Sequence, residues 1–510
     1  MTRKLYTFLS LTLAASIGIT ACTDLEVEES DSVFIASASG EFTGVEPGPT
    51  LSSGYADLRA FTDQANSYAL HEITSDELLV PTRGTDWGDN GIWRTLHQHT
   101  WDPTHPYVLS SWNQFNALVF KATQIIDPRS NANAQQLAEA KFLRAYAMYL
   151  VVDFFGQVPF REVDEGPLVE PQVLTTEEAI SFIQDDLNDA IANLPELGPS
   201  ADNIRAGKAA AHFINAKLHL NKHVFLGNST ADAADMDVVI NSVNQIEALG
   251  YELEEGYFEV FAPAEDTETI LYTDGSVGNR IWNGLHYFQD APGNEGGGWN
   301  GFSTTAEFYA LFEGDAESNT PGSNQEERRG YVPTDGSNFG IGYGMLFGQQ
   351  YDESGAPLND RAGRPLVFTK DFSGLTGNRE NTGVRVIKYH PENGSFVGHY
   401  ILFRFADAHL MKAEAELRKG NTGEALALVN ELRTIRDASP LSSLSESDLL
   451  DERGRELYAE GWRRNDQIRF GTFTREWDLK GGTSEEYRTL FPIPANAVAL
   501  NPNLEQNPGY

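Results

Sequence analysis

Helical periodicity that recurs in pairs is the feature that most restricts this chain's fold. The clearest run, Ala134 to Phe155, sets Leu137, Ala140, Leu143, Ala147, Leu150, Val151 and Phe154 at helical spacing. Residues three and four apart share one face of an α-helix, so such a stripe must be covered by another element. Gly156 follows as a C-terminal cap and Pro159 blocks continuation. Leu51 to Thr74 has the same spacing through Tyr55, Leu58, Phe61, Ala65 and Tyr68, and Tyr107 to Asp127 has it through Leu109, Trp112, Phe115, Leu118 and Ile125. Thr175 and Glu178 form a capping box for a helix running to Leu194, with Pro195 just beyond. Arg205 to Lys222 pairs with Asp232 to Leu249, and Tyr400 to Lys419 pairs with Gly423 to Asp437. Two amphipathic helices, a short turn and small residues at the crossing predict TPR-like hairpins and a mostly α fold.

Residues 254–398 break this pattern. They are rich in Gly, Asn, Asp and aromatics and too long for a plain loop. An irregular region with short strands is expected, with strands at Thr269 to Thr273 and Val384 to Tyr389. No Pro-, Ser- or Gly-rich linker divides the chain, so residues 41–510 are read as one domain. Its helix pairs cover about 51–250 and 400–470, and the loop-rich insertion covers about 254–398.

At the amino end, Arg3 and Lys4 precede an apolar run from Leu5 to Ala21, the pattern of an export signal. The run is short and polar for a membrane span. Cys22 is the only cysteine, so no intramolecular disulfide is expected. Ile19-Thr20-Ala21-Cys22 resembles a bacterial lipobox, which makes residues 1–21 a lipoprotein signal, Cys22 the lipidated residue and 22–40 a tether. The alternative is an ordinary secretory signal with an incidental cysteine. The acidic stretch Thr23 to Ser32 resembles the one that follows the cysteine in surface-displayed Bacteroidetes lipoproteins.

Charge narrows the ligand class. Lys plus Arg total 37 against 74 for Asp plus Glu, a net charge of −37. Such a surface repels phosphate backbones, which excludes nucleic acid, and it disfavours strongly anionic ligands. His97-Gln98-His99 offers a metal pair with no third ligand, so neither a metal nor a cofactor is expected. There is no Walker loop, nucleophile elbow or HExxH motif. A glycoside hydrolase needs two facing carboxylates, and no acid pair is marked out; Asp86 and Asp89 are equally ordinary loop acids. The charged run Glu452 to Arg464 reads as a helix tied down by partly buried salt bridges.

Two aromatic clusters remain. Pro81 to Trp101 holds Trp87, Trp93 and Trp101 among Arg83, Asp86, Asp89, Asn90, Arg94, His97 and His99. Indoles on a glycine-broken loop, flanked by carboxylate, amide and guanidinium groups, suit a sugar ring, which has an apolar face and a hydroxylated rim. The second cluster is Trp282, His286, Tyr287 and Phe288, followed by Gly296-Gly297-Gly298 leading into Trp299 and Asn300. In both, the competing reading is that the aromatics only pack a long loop onto the body.

Further motifs carry a resemblance. Tyr400-Ile-Leu-Phe-Arg404-Phe-Ala-Asp407, Asp451-Glu452-Arg453 with Glu456 and Gly461-Trp462-Arg463, and the closing Phe491-Pro-Ile-Pro494 with Asn507-Pro508-Gly509-Tyr510 are similar to the RagB/SusD family of Bacteroidetes. Ala138-Glu139-Ala140 with Phe142-Leu143-Arg144-Ala145-Tyr146, followed by Phe155-Gly156, resembles a helix from the family's amino-terminal half. The resemblance implies a SusD-like fold of four TPR-like helix pairs with an irregular region packed on one side. It implies an outward-facing, non-catalytic outer-membrane lipoprotein that binds glycan and covers a SusC-like TonB-dependent transporter. It implies a glycan anchor of tryptophan with asparagine three residues on, which Trp87 and Asn90 match. Trp282, Tyr287 and Trp299 are then the further platforms, and Arg83 and Asp86 would bond vicinal hydroxyls. A neutral polysaccharide or oligosaccharide is expected, with β-glucan and α-glucan both fitting. The alternatives are a cell-surface glycan-active enzyme, or a SusD-like binder of peptide or another nutrient.

Overall fold

The computed structural model describes residues 42–165, 169–199, 203–274, 278–291, 296–391 and 399–510. The signal segment, Cys22 and the tether lie outside these residues. Among the described residues no helix is long and apolar enough to cross a membrane.

The first half is a helical array: α1 (Pro47–Asp57), α2 (Asn66–Glu72), α3 (Ile92–His97), α4 (Pro106–Ile126), α5 (Ala134–Phe155), α6 (Thr176–Asn193), α7 (Lys208–Phe225) and α8 (Ala233–Ala248). Consecutive helices from α4 to α8 pack on one another. The expected capping devices are present. Thr175 and Glu178 cap α6 reciprocally, and α5 closes on Gly156 in the left-handed region at φ 74°. Buried between α4 and α6, α5 is covered on almost every face from Ala138 onward, well beyond a single stripe. The Leu51 to Thr74 helix is corrected: it breaks after α1 into a 3-10 turn (Leu58–Thr62), and Asp63 is extended before α2 starts. The Asp63 carboxylate accepts the Ala65 N–H (3.1 Å), a local turn that competes with the helix.

The array then skips about a third of the chain. Strand β4 (Thr269–Thr273) pairs antiparallel with β11 (Tyr400–Arg404), and α8 packs directly on α11 (Phe405–Arg418). The loop-rich region therefore leaves the array at β4 and returns at β11. The expected helix from Tyr400 is corrected here. Tyr-Ile-Leu-Phe-Arg is buried at all five positions, and such a short apolar run serves a strand as readily as a helix. After α11 come α12 (Thr422–Ile435), α13 (Glu446–Leu457), α14 (Arg463–Arg469) and α15 (Ala495–Leu500). Inside the region lie α9 (Gly278–Gly284) and α10 (Ala306–Tyr309). Strand β2 (Val158–Phe160) pairs with β3 (Gln172–Leu174), β8 (Gly348–Gln349) pairs with β9 (Val367–Phe368), and a three-stranded sheet has the order β10 (Arg385–Ile387), β7 (Tyr343–Leu346), β6 (Gly330–Tyr331).

Buried ions stitch this region to the helices, which bears out the salt-bridge part of the reading of Glu452 to Arg464; the run itself is not one helix but the end of α13, a break over 458–462 and the start of α14. Arg404 donates to Glu268 (2.9 Å), Glu456 (2.7 Å) and Glu460 (2.7 Å). Arg328 reaches Glu452 (2.7 Å) and Glu456 (3.3 Å), and Arg436 reaches Glu268 (2.6 Å) and Glu456 (3.2 Å).

A second buried pair behaves differently. Glu72 and Glu77 accept the backbone N–H groups of Gly461 and Ala459 and lie against each other in the core. Burial raises both pKa values, and the Glu72 charge raises that of Glu77 further. A raised carboxyl contributes stability that is complete below its unfolded pKa of ~4.3 and is lost as pH rises through the folded value. Glu77→Gln is therefore expected to raise the melting temperature at pH 8 by about 1–3 °C and to flatten its fall between pH 5 and pH 9 in calorimetric scans. A pH profile identical to that of the parent would rule out a raised Glu77 carboxyl.

Candidate functional site

A strand pairing and a bridge carry the two aromatic clusters to one place. Strand β1 (Leu78–Leu79) precedes the first cluster, and β5 (Ser303–Thr304) follows the second. They pair antiparallel, Leu78 opposite Thr304 and Leu79 opposite Ser303. The Thr304 N–H donates to the Val384 carbonyl (2.9 Å), which brings in the segment 380–385.

Two buried arginines lock these segments together. Arg83 donates to the carbonyls of Asn300 (2.8 Å), Gly301 (2.6 Å) and Thr382 (2.8 Å) and to Ser303 Oγ (2.7 Å). Arg385 donates to Asn300 Oδ1 (2.7 Å), to Ser303 Oγ (3.0 Å) and to the carbonyls of Thr382 (2.7 Å) and Glu380 (2.6 Å). Burial draws the Arg83 pKa down to about 9 and that of Arg385 well below its ordinary value. The expected role of Arg83 is thereby corrected. At 2 % exposure, it holds loops rather than facing a ligand.

Trp87 sits on top of this lock in a left-handed backbone conformation, φ 59°, followed by Asp89 at 35° and Asn90 at 52°. A bulky residue there carries strain of about 1–3 kcal/mol that its surroundings must offset. Its Nε1 donates to the Trp299 carbonyl (2.8 Å), and its own carbonyl accepts from Thr82 Oγ1 (3.2 Å). The indole meets Trp93 and Phe302 edge-on, at centroid distances of 5.8 and 6.0 Å. Gly301 lies flat against it; a Cβ there would stand 2.5 Å from the ring. Asn90 is exposed beside it.

Trp299 is delivered by a tight approach. At Gly298 a Cβ would stand 2.1 Å from the Leu285 carbonyl, so only glycine lets the chain pass there. The Trp299 N–H then donates to the Trp282 carbonyl (2.6 Å), and its side chain remains 37 % exposed. Phe288 is 46 % exposed nearby in the chain. Trp282 is corrected as a platform, because α9 turns it into the core at 7 % exposure.

Tyr287 and Asp86 come together through a residue the sequence did not mark. The Tyr287 hydroxyl donates to Asp86 Oδ2 (2.6 Å), and Arg361 Nη2 donates to the same oxygen (2.9 Å). The Arg361 guanidinium lies over the Tyr287 ring at 4.0 Å and pairs with Glu380, which His286 also contacts at 3.1 Å. One face of Tyr287 is thus occupied, and the residue is half-buried. The Tyr287 hydrogen bond and Arg361 hold the Asp86 carboxyl below its usual range, and burial, then Asp86, pushes the Tyr287 pKa up to about 12. Arg361 lies in Asn-Asp-Arg-Ala-Gly-Arg, 275 positions from Asp86, and carries no local signal of its role.

The remaining aromatics and histidines are structural. Trp93 and Trp101 are buried, their N–H groups given to Asp89 (2.7 Å) and to the Tyr510 hydroxyl (2.7 Å). His97 bonds the Asp478 carbonyl (2.9 Å), and His99 bonds Ser484 Oγ (2.9 Å) and the Thr74 carbonyl (2.7 Å). No group of three metal-ligating side chains occurs among the described residues.

A sequence model described as the SusD family matches residues 267–510, and one described as starch-binding, associating with outer membrane, matches residues 57–220. The chain belongs to the SusD family. The starch-binding protein SusD of Bacteroides thetaiotaomicron is 28% identical over 498 residues, covering 87% of this chain and 85% of its own. A SusD-like protein of Bacteroides fragilis superposes with a TM-score of 0.71 at 20% identity, over 94% of this chain and 99% of its own. A laminarin-binding SusD-like protein superposes with a TM-score of 0.66 at 20% identity, over 91% and 99%. At these identities the superpositions speak for the mostly helical SusD-like fold. In this SusD-family chain the ledge of Trp87, Tyr287 and Trp299 is built between the amino-terminal helices and the long region that β4 and β11 bracket.

Proposed function

We propose that the chain is a glycan-binding lipoprotein of the outer membrane, anchored through Cys22. It captures an uncharged polysaccharide or oligosaccharide and delivers it to a SusC-like TonB-dependent transporter. The observation that carries this reading is Trp87. Its left-handed backbone is held by Thr82, and its ring is propped by Gly301, whose carbonyl a buried arginine grips, beside the exposed Trp299 and Asn90. A loop braced in this way keeps an aromatic face at the surface without reorganisation on binding. Trp299 and Trp87 supply platforms, Asn90 and Asp86 bond hydroxyls, and Arg361 adds a guanidinium edge. Arg83 and Trp282 act from beneath. That relatives are named for binding starch and laminarin supports a neutral α- or β-glucan.

The test is an affinity-gel shift of the soluble form against neutral and charged polysaccharides. Retardation on a neutral glycan with no release of reducing ends is expected. Release of reducing ends would favour a glycan-active enzyme, and no retardation on any glycan would favour peptide or another nutrient as cargo. Gly301→Ala drives a methyl group into the Trp87 ring and is expected to weaken retention about tenfold, with the melting temperature changed by no more than about 2 °C. Full retention in this variant would remove Trp87 from the site.

A further inference from the structure

A large cavity lies away from the ledge. A groove of about 1100 Å³ runs between the loops 254–266 and 321–338, with Asp437 at one end. Its wall is formed by Phe258 with Tyr331 and Tyr343, which face each other across the β6–β7 pair. Phe258 and Tyr343 stand 5.1 Å apart at 44°, and His390 stacks behind Tyr343 at 4.1 Å. Tyr331 and Phe258 are half-exposed. The rim carries Asn324, Ser337 and Asn338 and the exposed acids Glu259, Glu265 and Asp437. Among the described residues no lysine, arginine or histidine lines it.

We propose that this groove is a second carbohydrate-binding site, taking an uncharged stretch of the same polymer that the ledge holds. The proposal rests on reading the chain as a glycan binder. The volume is that of an oligosaccharide site rather than of a trapped water. Aromatic faces cover the apolar side of a sugar, and carboxylates and amides accept and donate to its hydroxyls. The absence of cationic side chains excludes sulfated and uronic segments. The sheet connects the two sites. Arg385, which braces the ledge, lies on β10, and Tyr331 lies on β6, the opposite edge strand. Arg385 stands opposite Leu346 and Tyr331 opposite Tyr343, so two strand spacings and three steps along β7 set them roughly 14 Å apart, and a polymer long enough to reach both sites binds them together, with a gain from effective concentration.

The experiment uses the glycan retained in the gel assay, as a short oligosaccharide in calorimetric titration and as intact polymer in gels. Two oligosaccharides per wild-type chain are expected. One is expected in Phe258→Ala/Tyr331→Ala and one in Trp87→Ala/Trp299→Ala, and each variant is expected to bind polymer at least about tenfold more weakly. Hydrogen exchange on the wild-type protein, independent of any variant's folding, should show oligosaccharide-dependent protection within 321–338. A single site that survives Phe258→Ala/Tyr331→Ala, without protection of 321–338, overturns the groove and leaves the ledge standing. Salt-sensitive binding of oligolysine that excludes the oligosaccharide from 321–338 also overturns it, in favour of a cationic ligand. Failure of wild type to bind any glycan overturns both sites.

Discussion

Glu456→Ala is expected to destabilise the protein by about 3–5 kcal/mol and to leave little soluble material at 37 °C. Three fully buried guanidiniums, Arg404, Arg436 and Arg328, converge on this one carboxylate. Removing it takes one carboxylate from each, leaving Arg436 with Glu268, Arg404 with Glu268 and Glu460, and Arg328 with Glu326 and Glu452; in a buried site such lost charge compensation is costly, whereas an exposed ion pair is worth about 0–1 kcal/mol. Burial alone would push the Glu456 pKa up. The arginines outweigh that and hold it well below the usual carboxylate range; they hold Glu452 down to about 2. A depressed carboxyl contributes stability above its unfolded pKa and loses it as pH falls through the folded value. Steep unfolding below about pH 4 is therefore expected in acid titrations followed by circular dichroism, opposite in sign to the effect of the Glu72–Glu77 pair. A Glu456→Ala variant that melts within about 2 °C of the parent would show that the web is not what holds the insertion to the helices.

Trp87→Ala is expected to cost about 1–3 kcal/mol of glycan affinity, a loss of roughly 5- to 150-fold. Trp87→Phe separates two contributions. It keeps an aromatic face but loses the N–H bond to Trp299, so it should fall between the parent and the alanine variant. The measurement is calorimetric titration on chains whose melting curves match the parent. Equal affinities for all three would assign Trp87 to packing with Trp93 and Phe302 alone.

Local chemistry made the helical part of the fold legible. Thr175, Glu178, Gly156 and Pro159 mark helix ends through bonds made within a few residues, and α5 and α6 begin and end close to where those residues set them. Tyr400 to Arg404 was misread because burial on both sides erases the period that tells a strand from a helix. The site was legible as a place but not residue by residue. Arg83 looked like a ligand group because its acceptors, backbone carbonyls at positions such as Asn300, lie 217 residues away and carry no side-chain signature. Trp282 and Trp299 are alike in composition. Only α9 turning one inward and the Gly297-Gly298 approach carrying the other outward tells them apart.

Because the Trp87 N–H is already donated to the Trp299 carbonyl, the indole offers an arriving sugar only carbon and π-electrons. In the proposed site it senses the flatness of a sugar's C–H face and is blind to the stereochemistry of its hydroxyls. On that proposal grip and discrimination reside on different parts of the chain. The grip is welded to the scaffold through the two buried arginines, and the reader is Asn90, Asp86 and the surface turn around Arg361. Exchanging residues 359–364 should retune which glycan is accepted while leaving the strength of the hold largely intact, so the architecture works as a fixed handle with an interchangeable lock.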